Sequence, residues 1–422
     1  MKKIFTFAMM MIVSSAMATE KDLPTDMVKE NGKVASAQEV KVVKKASWTD
    51  HIKLSGNVQM QWQMAQEKGA EVFSPMGNFA DDSNNRFDIR RARLKMTYGI
   101  DFFTAKIQMN ANQKGVSVVE ANLALHNKSK TMMMTTGLFY KPFGYLIQRS
   151  SSIRQQPELP RVVQSLLKDV GIGAYGSITG EKGTFLNQFK LDLGVMTEDE
   201  KFNQTRQFRN LIGRIDFNQP IGDNSVVGAE FSTYLGGLKN KGNIAYESAD
   251  NGYDVINDAT GKVLKRDYYD FGVRYETVTG WGDTKIFGEY MFGTQVGNDK
   301  SSKSSSIMMD KDAPLFQRNF SGMYLYFQQE IANSDVSLMF QLDTYDPNTK
   351  IGKEDIGKFE NTSGVDVAHT SLGVGLFYKF LKEKVAVSAV YDFVWNEECP
   401  NLANFKTNRK DNLFTLRLLC AF

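Results

Sequence analysis

From Trp48 to the last residue, apolar side chains recur at every second position, and this period limits the possible folds more than any other feature. Ile52, Leu54, Val58, Met60, Trp62 and Met64 fall on even positions, with Lys53, Ser55, Asn57, Gln59, Gln61 and Gln63 between them. Successive side chains of a strand point to opposite faces, so this segment reads as a strand with one oily face and one wet face. The same alternation returns along 103–111, 119–126, 336–343, 385–395 and 414–422. Sixteen such strands are expected, near 48–66, 86–98, 102–112, 116–126, 131–140, 170–179, 184–196, 208–218, 225–235, 267–278, 284–294, 319–329, 334–345, 367–379, 384–396 and 411–422.

The connections carry a second signal. They are brief after even-numbered strands (99–101, 127–130, 180–183, 219–224, 279–283, 330–333, 380–383). After odd-numbered strands they are mostly long (67–85, 141–169, 197–207, 236–266, 295–318, 346–366, 397–410), with the third strand the exception. Tight turns on one rim and long loops on the other describe an all-β, 16-stranded antiparallel transmembrane β-barrel, with short periplasmic turns and long outer loops. Closure is required, because a sheet edge in hydrocarbon leaves backbone N–H and C=O groups unpaired. A soluble sandwich or propeller is the competing fold, but no helices are expected to cover so many apolar faces. Trp48, Trp281 and Trp395 lie at strand ends, where an aromatic girdle belongs. The chain closes on an alternating strand ending at Phe422, the kind of terminus read by the outer-membrane assembly machinery. Sixteen strands ~4.8 Å apart and tilted ~40° make a tube roughly 30 Å across, too wide for side chains to fill. An inward-folded constriction loop is therefore expected.

Composition excludes several alternatives. Beyond the N-terminus no apolar run approaches the length of a spanning helix, and two cysteines cannot form a disulfide scaffold. Cys399 and Cys420 belong to opposite rims and are not expected to pair. Fifty-one Lys+Arg against 48 Asp+Glu argue against a nucleic-acid binder. Lys2-Lys3, the apolar stretch 4–13 and Ala16-Met17-Ala18 read as a signal peptide, residues 1–18, cleaved after Ala18. Residues 19–46 read as a flexible periplasmic lead-in, and 47–422 as the barrel. The three histidines, His51, His126 and His369, belong to different strands. No Ser–His–acid set, His or Cys pair with metal spacing, or nucleotide loop is evident, so no enzyme, metal site or cofactor is expected.

Charge is uneven. Residues 84–168 hold 14 Lys+Arg and four acids, a net of +10. In the second strand Phe87 and Ile89 are odd while Ala92, Leu94 and Met96 are even, so a β-bulge is expected near 89–91. With the bulge, Arg93 and Lys95 face the lumen, with Arg90 or Arg91 beside them, and Lys106 shares that face. Without it an arginine would face lipid at a cost of ~2–4 kcal/mol at midplane depth. The loop 141–169 carries Lys141, Arg149, Arg154 and Arg161 with one acid, Glu158. Folded inward, it would bring these cations to the constriction and favour anions. Arginine forks suit tetrahedral oxyanions such as phosphate. On the surface the same cations would instead bind lipopolysaccharide phosphates. Strand phase also places Glu120, Asp192, Asp216, Glu230, Asp270, Glu276, Glu289 and Asp343 in the lumen.

The chain resembles the phosphate-selective porin O and P family through 87–94 (FDIRRARL), 137–144 (GLFYKPFG), 168–172 (KDVGI), 345–348 (YDPN) and 416–422 (LRLLCAF). That resemblance implies a homotrimeric sixteen-stranded porin in outer-membrane lipid, with inward loops and a basic path for small anionic solutes. Two other functions fit the residues: a general, non-selective porin in which the acids cancel the basic wall, and a surface-binding protein acting through loops 236–266 and 295–318.

Overall fold

A computed structural model describes residues 48–149, 156–166, 170–197, 208–304, 314–381 and 384–422. The expected signal peptide, lead-in and Arg154 lie outside them. The strands are β1 (Ile52–Ala65), β2 (Asn85–Ile100), β3 (Phe103–Asn112), β4 (Gly115–His126), β5 (Met132–Tyr140), β6 (Val170–Thr179), β7 (Phe189–Thr197), β8 (Phe208–Ile221) and β9 (Ser225–Lys239). After a small hairpin, β10 (Ala245–Ala249) and β11 (Gly252–Ile256), come β12 (Val263–Thr279), β13 (Gly282–Gly297), β14 (Leu315–Glu330), β15 (Val336–Asp346), β16 (His369–Phe380), β17 (Val385–Asn396) and β18 (Leu413–Ala421). Leaving the hairpin aside, each strand pairs antiparallel with the next, and β9 pairs with β12. The last strand returns to the first, Asn57 opposite Ala421 and Ala65 opposite Leu413. The result is a closed 16-stranded barrel.

Burial is inverted relative to a soluble protein. Gln59, Gln61 and Gln63 are at most 1% exposed, while their neighbours Leu54, Met60 and Met64 are exposed on the outside. The outer band continues through Leu123, Leu125, Phe271, Val273, Leu325 and Leu418. No helix among the described residues is long and apolar enough to cross a membrane. Such a pattern suits water inside and hydrocarbon outside, where polar side chains face the one and oily side chains the other. Trp281, Phe102 and Phe185 stand exposed at the short-turn rim.

The expected bulge is present. Gln59 faces Arg91 and Met60 faces Ile89, so Arg90 is the extra residue between them. Phe87 and Ile89 point outward, and Asp88, Arg91 and Arg93 point inward and are buried. The tight β3–β4 connection is also as expected, two residues long at Gln113-Lys114.

Two expectations are corrected. The loop 236–266 is not plain loop. The β9–β12 pairing runs on to Lys239 opposite Val263, and β10–β11 fold back so that β10 pairs parallel with the start of β14. Tyr246 stacks on Phe316 at 4.4 Å, and Ala245, Ala259, Leu264, Val296 and Leu315 form a small core. Five-residue strands of mixed polarity are too short for the period to register. The segment 184–196 becomes a strand only at Phe189, because Phe185–Gln188 form a 3-10 turn.

The largest apolar cluster lies inside the barrel. The loop after β5 turns inward and carries two short helices, α1 (Tyr145–Gln148) and α2 (Arg161–Leu166). Leu146, Ile147, Val162, Val163 and Leu166 pack on lumen-facing Tyr268, Phe287, Phe320, Tyr324 and Tyr326. These aromatics sit on the phase that elsewhere carries polar residues. Gly322 permits the close approach, because a Cβ there would lie 2.8 Å from Val162. At Gly144 the loop adopts φ 63° and ψ 172°, a conformation open essentially to glycine alone.

Candidate functional site

Beneath the inward loop, toward the short-turn rim, lies a cavity of about 560 Å³. Arg93, Lys95, Lys106, Lys130 and Arg149 line it, against one acidic side chain, Glu120. The bulge at Arg90 sets the phase that turns Arg93 and Lys95 inward, and the β2–β3 register places Thr97 opposite Lys106. Arg93 donates to the Tyr140 hydroxyl at 2.9 Å. Arg149 is 4.5 Å from the Tyr145 ring centroid and 3.4 Å from Glu276. Asn57, Gln108, Asn122 and Thr135 add uncharged polar groups to the lining. His126 also reaches it, its ring meeting Thr104 Oγ1 at 3.1 Å and the Asn127 carbonyl at 3.1 Å.

Above the loop a second space of about 270 Å³ opens toward the long loops. Arg161, Lys300, Lys303 and Arg409 line it with the acids Glu71 and Asp411. Phe73 is flanked by two cations, with Arg161 at 4.3 Å and Lys303 at 3.9 Å from its centroid. Burial, with Arg161 and Lys114 nearby, pulls the Lys303 ammonium down to about 8. The inner and outer spaces share no lining residue among those described.

Among the described residues, several polar anchors hold the loop between the two spaces. Glu158 accepts from Arg90 at 2.7 and 2.8 Å and from Arg417 at 2.5 Å, all three side chains being largely buried. Such charge-assisted forks are the stronger class of hydrogen bond. The Arg161 backbone N–H donates to Asp343 at 2.5 Å. The Tyr145 N–H donates to Glu289 at 2.5 Å, and the Gly144 N–H donates to Ser232 at 3.0 Å.

The expected basic residues therefore divide. Arg93, Lys95, Lys106 and Arg149 share the inner cavity. Arg90 is committed to Glu158, Arg91 is buried on the lumen face, and Arg161 lies in the outer space. Lys141 is fully buried, 5.5 Å from the Tyr234 ring. The acids expected in the lumen are there, Glu276 half-buried and the other seven buried. What the alternation did not reveal is their pairing. Arg214 bridges Glu230 at 2.8 Å, Asp216 at 3.3 Å and Asp192 at 3.7 Å, and Arg274 contacts Asp216. The wall opposite β2–β3 is thus an ion-paired ladder. Arg214 and Arg274 were recognisable as lumen-facing by phase, but nothing in the sequence says which acids they meet.

No protein-family model matches the chain, and no curated protein sequence matches it. Its fold is similar to solved outer-membrane barrels. OmpF of Salmonella typhi, in complex with daunomycin, aligns at a TM-score of 0.56 and 10% identity, over 89% of this chain and 99% of that one. The trimer form of OmpT, an outer membrane protein of Vibrio cholerae, aligns at 0.51 and 10% identity, over 88% of this chain and 99% of that one. The outer membrane channel DcaP of Acinetobacter baumannii aligns at 0.51 and 11% identity, over 88% and 97%. At these identities the likeness is one of fold.

Proposed function

We propose that this chain is an outer-membrane diffusion channel for small hydrophilic solutes, with a preference for anions. The observation that carries the preference is the inner cavity, where five cationic side chains face one acidic one. Fixed cations in a narrow, partly desolvated passage concentrate anions and repel cations. The inside-out barrel supports the channel reading, since a polar lumen within an oily shell is what passive diffusion across a bilayer requires. Assembly as a homotrimer and export by the N-terminal segment belong to the same reading. The trimer form of the Vibrio cholerae protein supports the first of these. Phosphate is the proposed test anion, because the cavity offers Arg93 and Arg149 guanidinium groups beside lysines.

The ion-paired ladder on the opposite wall favours a second reading, a general porin whose charges largely cancel. Reversal potentials in a KCl gradient across a planar bilayer separate the two. Anion preference supports the proposal, a zero reversal potential supports the general porin, and absence of conductance removes the channel reading altogether. Block of chloride current by millimolar phosphate tests the finer assignment.

A further inference from the structure

Across the lumen from the basic wall, three carboxylates converge from three strands. Glu230 on β9, Asp270 on β12 and Glu289 on β13 are all buried, and one oxygen of each lies within 4.8 Å of the others. Gly272 makes the convergence possible. It stands between Glu230 and Glu289 in the β9–β12–β13 register, and a Cβ there would lie 2.8 Å from Glu230 and 3.2 Å from Glu289.

Ion pairs along the wall lead into the cluster. Among the described residues, Lys190, Arg214 and Arg274 pair with Asp192, Asp216 and Glu230, and no ion pair of this set reaches Asp270 or Glu289. Arg214 engages only one oxygen of Glu230. A second observation concerns Asp270. It is 0% exposed, and neither of its carboxylate oxygens, nor Oε1 of Glu230, accepts a well-formed hydrogen bond; the polar groups nearest Asp270 are the Ser232 hydroxyl and the other carboxylates. A buried, unpaired carboxylate is costly, and such groups are normally paired or bound to metal. The inward loop covers the cluster, since a Cβ on Gly144 would sit 2.7 Å from Glu289 and 3.5 Å from Asp270.

We propose that Glu230, Asp270 and Glu289 form a site for one divalent, oxygen-seeking cation of the calcium class, which ties the inward loop to the barrel wall. A hard cation takes carboxylate oxygens in mono- or bidentate fashion and completes its shell with water. The loop is joined to the site through the Tyr145 N–H on Glu289, so cation binding and loop position are coupled. This inference is independent of anion selectivity and of the channel reading.

The test uses the full chain refolded in detergent, stripped with chelator, then titrated with terbium as a calcium surrogate. Tyr145 donates its N–H and Tyr324 its hydroxyl to Glu289, so tyrosine-sensitised terbium emission is the readout, with calcium added as competitor. The expected result is one saturable, calcium-displaceable ion per chain, weakened by about tenfold or more in Asp270→Asn. Glu181→Gln, on an exposed turn, should leave it unchanged. Glu230→Gln replaces Asp270→Asn if that variant does not fold. The proposal is overturned if the wild-type chain binds no ion, as it would if shared protons alone hold the carboxylates together. It is equally overturned if Asp270→Asn and Glu181→Gln bind alike.

Discussion

Neutralising Arg93, Lys95 and Lys106 together, each to Gln, removes three of the five cationic side chains that line the inner cavity. An ion at the centre of a space of about 560 Å³ sits ~5 Å from its walls and ~7 Å from the charges on them. In water-like dielectric at 0.1 M salt, where the Debye length is ~10 Å, each charge contributes ~0.3 kcal/mol. Three removals reach ~0.9 kcal/mol, felt with opposite sign by anion and cation, so the permeability ratio should fall roughly ten- to twentyfold. At 1 M salt the Debye length is ~3 Å and the same variant should change the ratio by less than about twofold. The assay is the bilayer reversal potential at both salt concentrations, on protein whose heat-modifiable gel migration shows a folded barrel. A ratio unmoved at 0.1 M, or moved equally at both concentrations, would refute the claim that this wall sets selectivity by through-space electrostatics.

Glu158→Gln leaves Arg90 and Arg417 buried without their shared anion, so loop anchoring should weaken by about 3–5 kcal/mol. Noisier single-channel current with an intact barrel is expected, and quiet wild-type-like traces would contradict the anchor. Gly144→Ala forces a non-glycine side chain into a glycine-only conformation against Glu289, at ~1–3 kcal/mol, and should loosen the same loop from its other end. Lys303 titrates near 8 because burial and the neighbouring Arg161 and Lys114 disfavour its charge. Raising the outer pH from about 7 to 9 should discharge it and reduce anion entry from that side, and a Lys303→Met variant should not respond. Cys399 is buried and Cys420 half-buried, and both are free. Thiol titration after unfolding without reductant should find two per chain, and none would indicate a disulfide.

The period-two pattern determined the strands, their faces and the rim to which each loop belongs, because side-chain alternation is a local property of extended backbone. It reached further at Arg90, where one residue out of phase marked a bulge, and at Glu230, Asp270 and Glu289, all assignable to the lumen by parity. The short hairpin of β10 and β11 escaped it, since stacking against Phe316 rather than alternation holds that segment. Only the tertiary structure decided which lumen groups meet. Glu158 reaches Arg417 across 259 positions, and the three carboxylates converge from three strands because barrel register and Gly272 bring them together. The inward course of the loop was likewise settled by Tyr268, Phe287, Phe320, Tyr324 and Tyr326 on the polar face, which offer it an apolar seat inside an otherwise wet tube. Parity says which way a side chain points. Register, closure and loop packing say what it points at, and those depend on contacts between residues far apart in the chain.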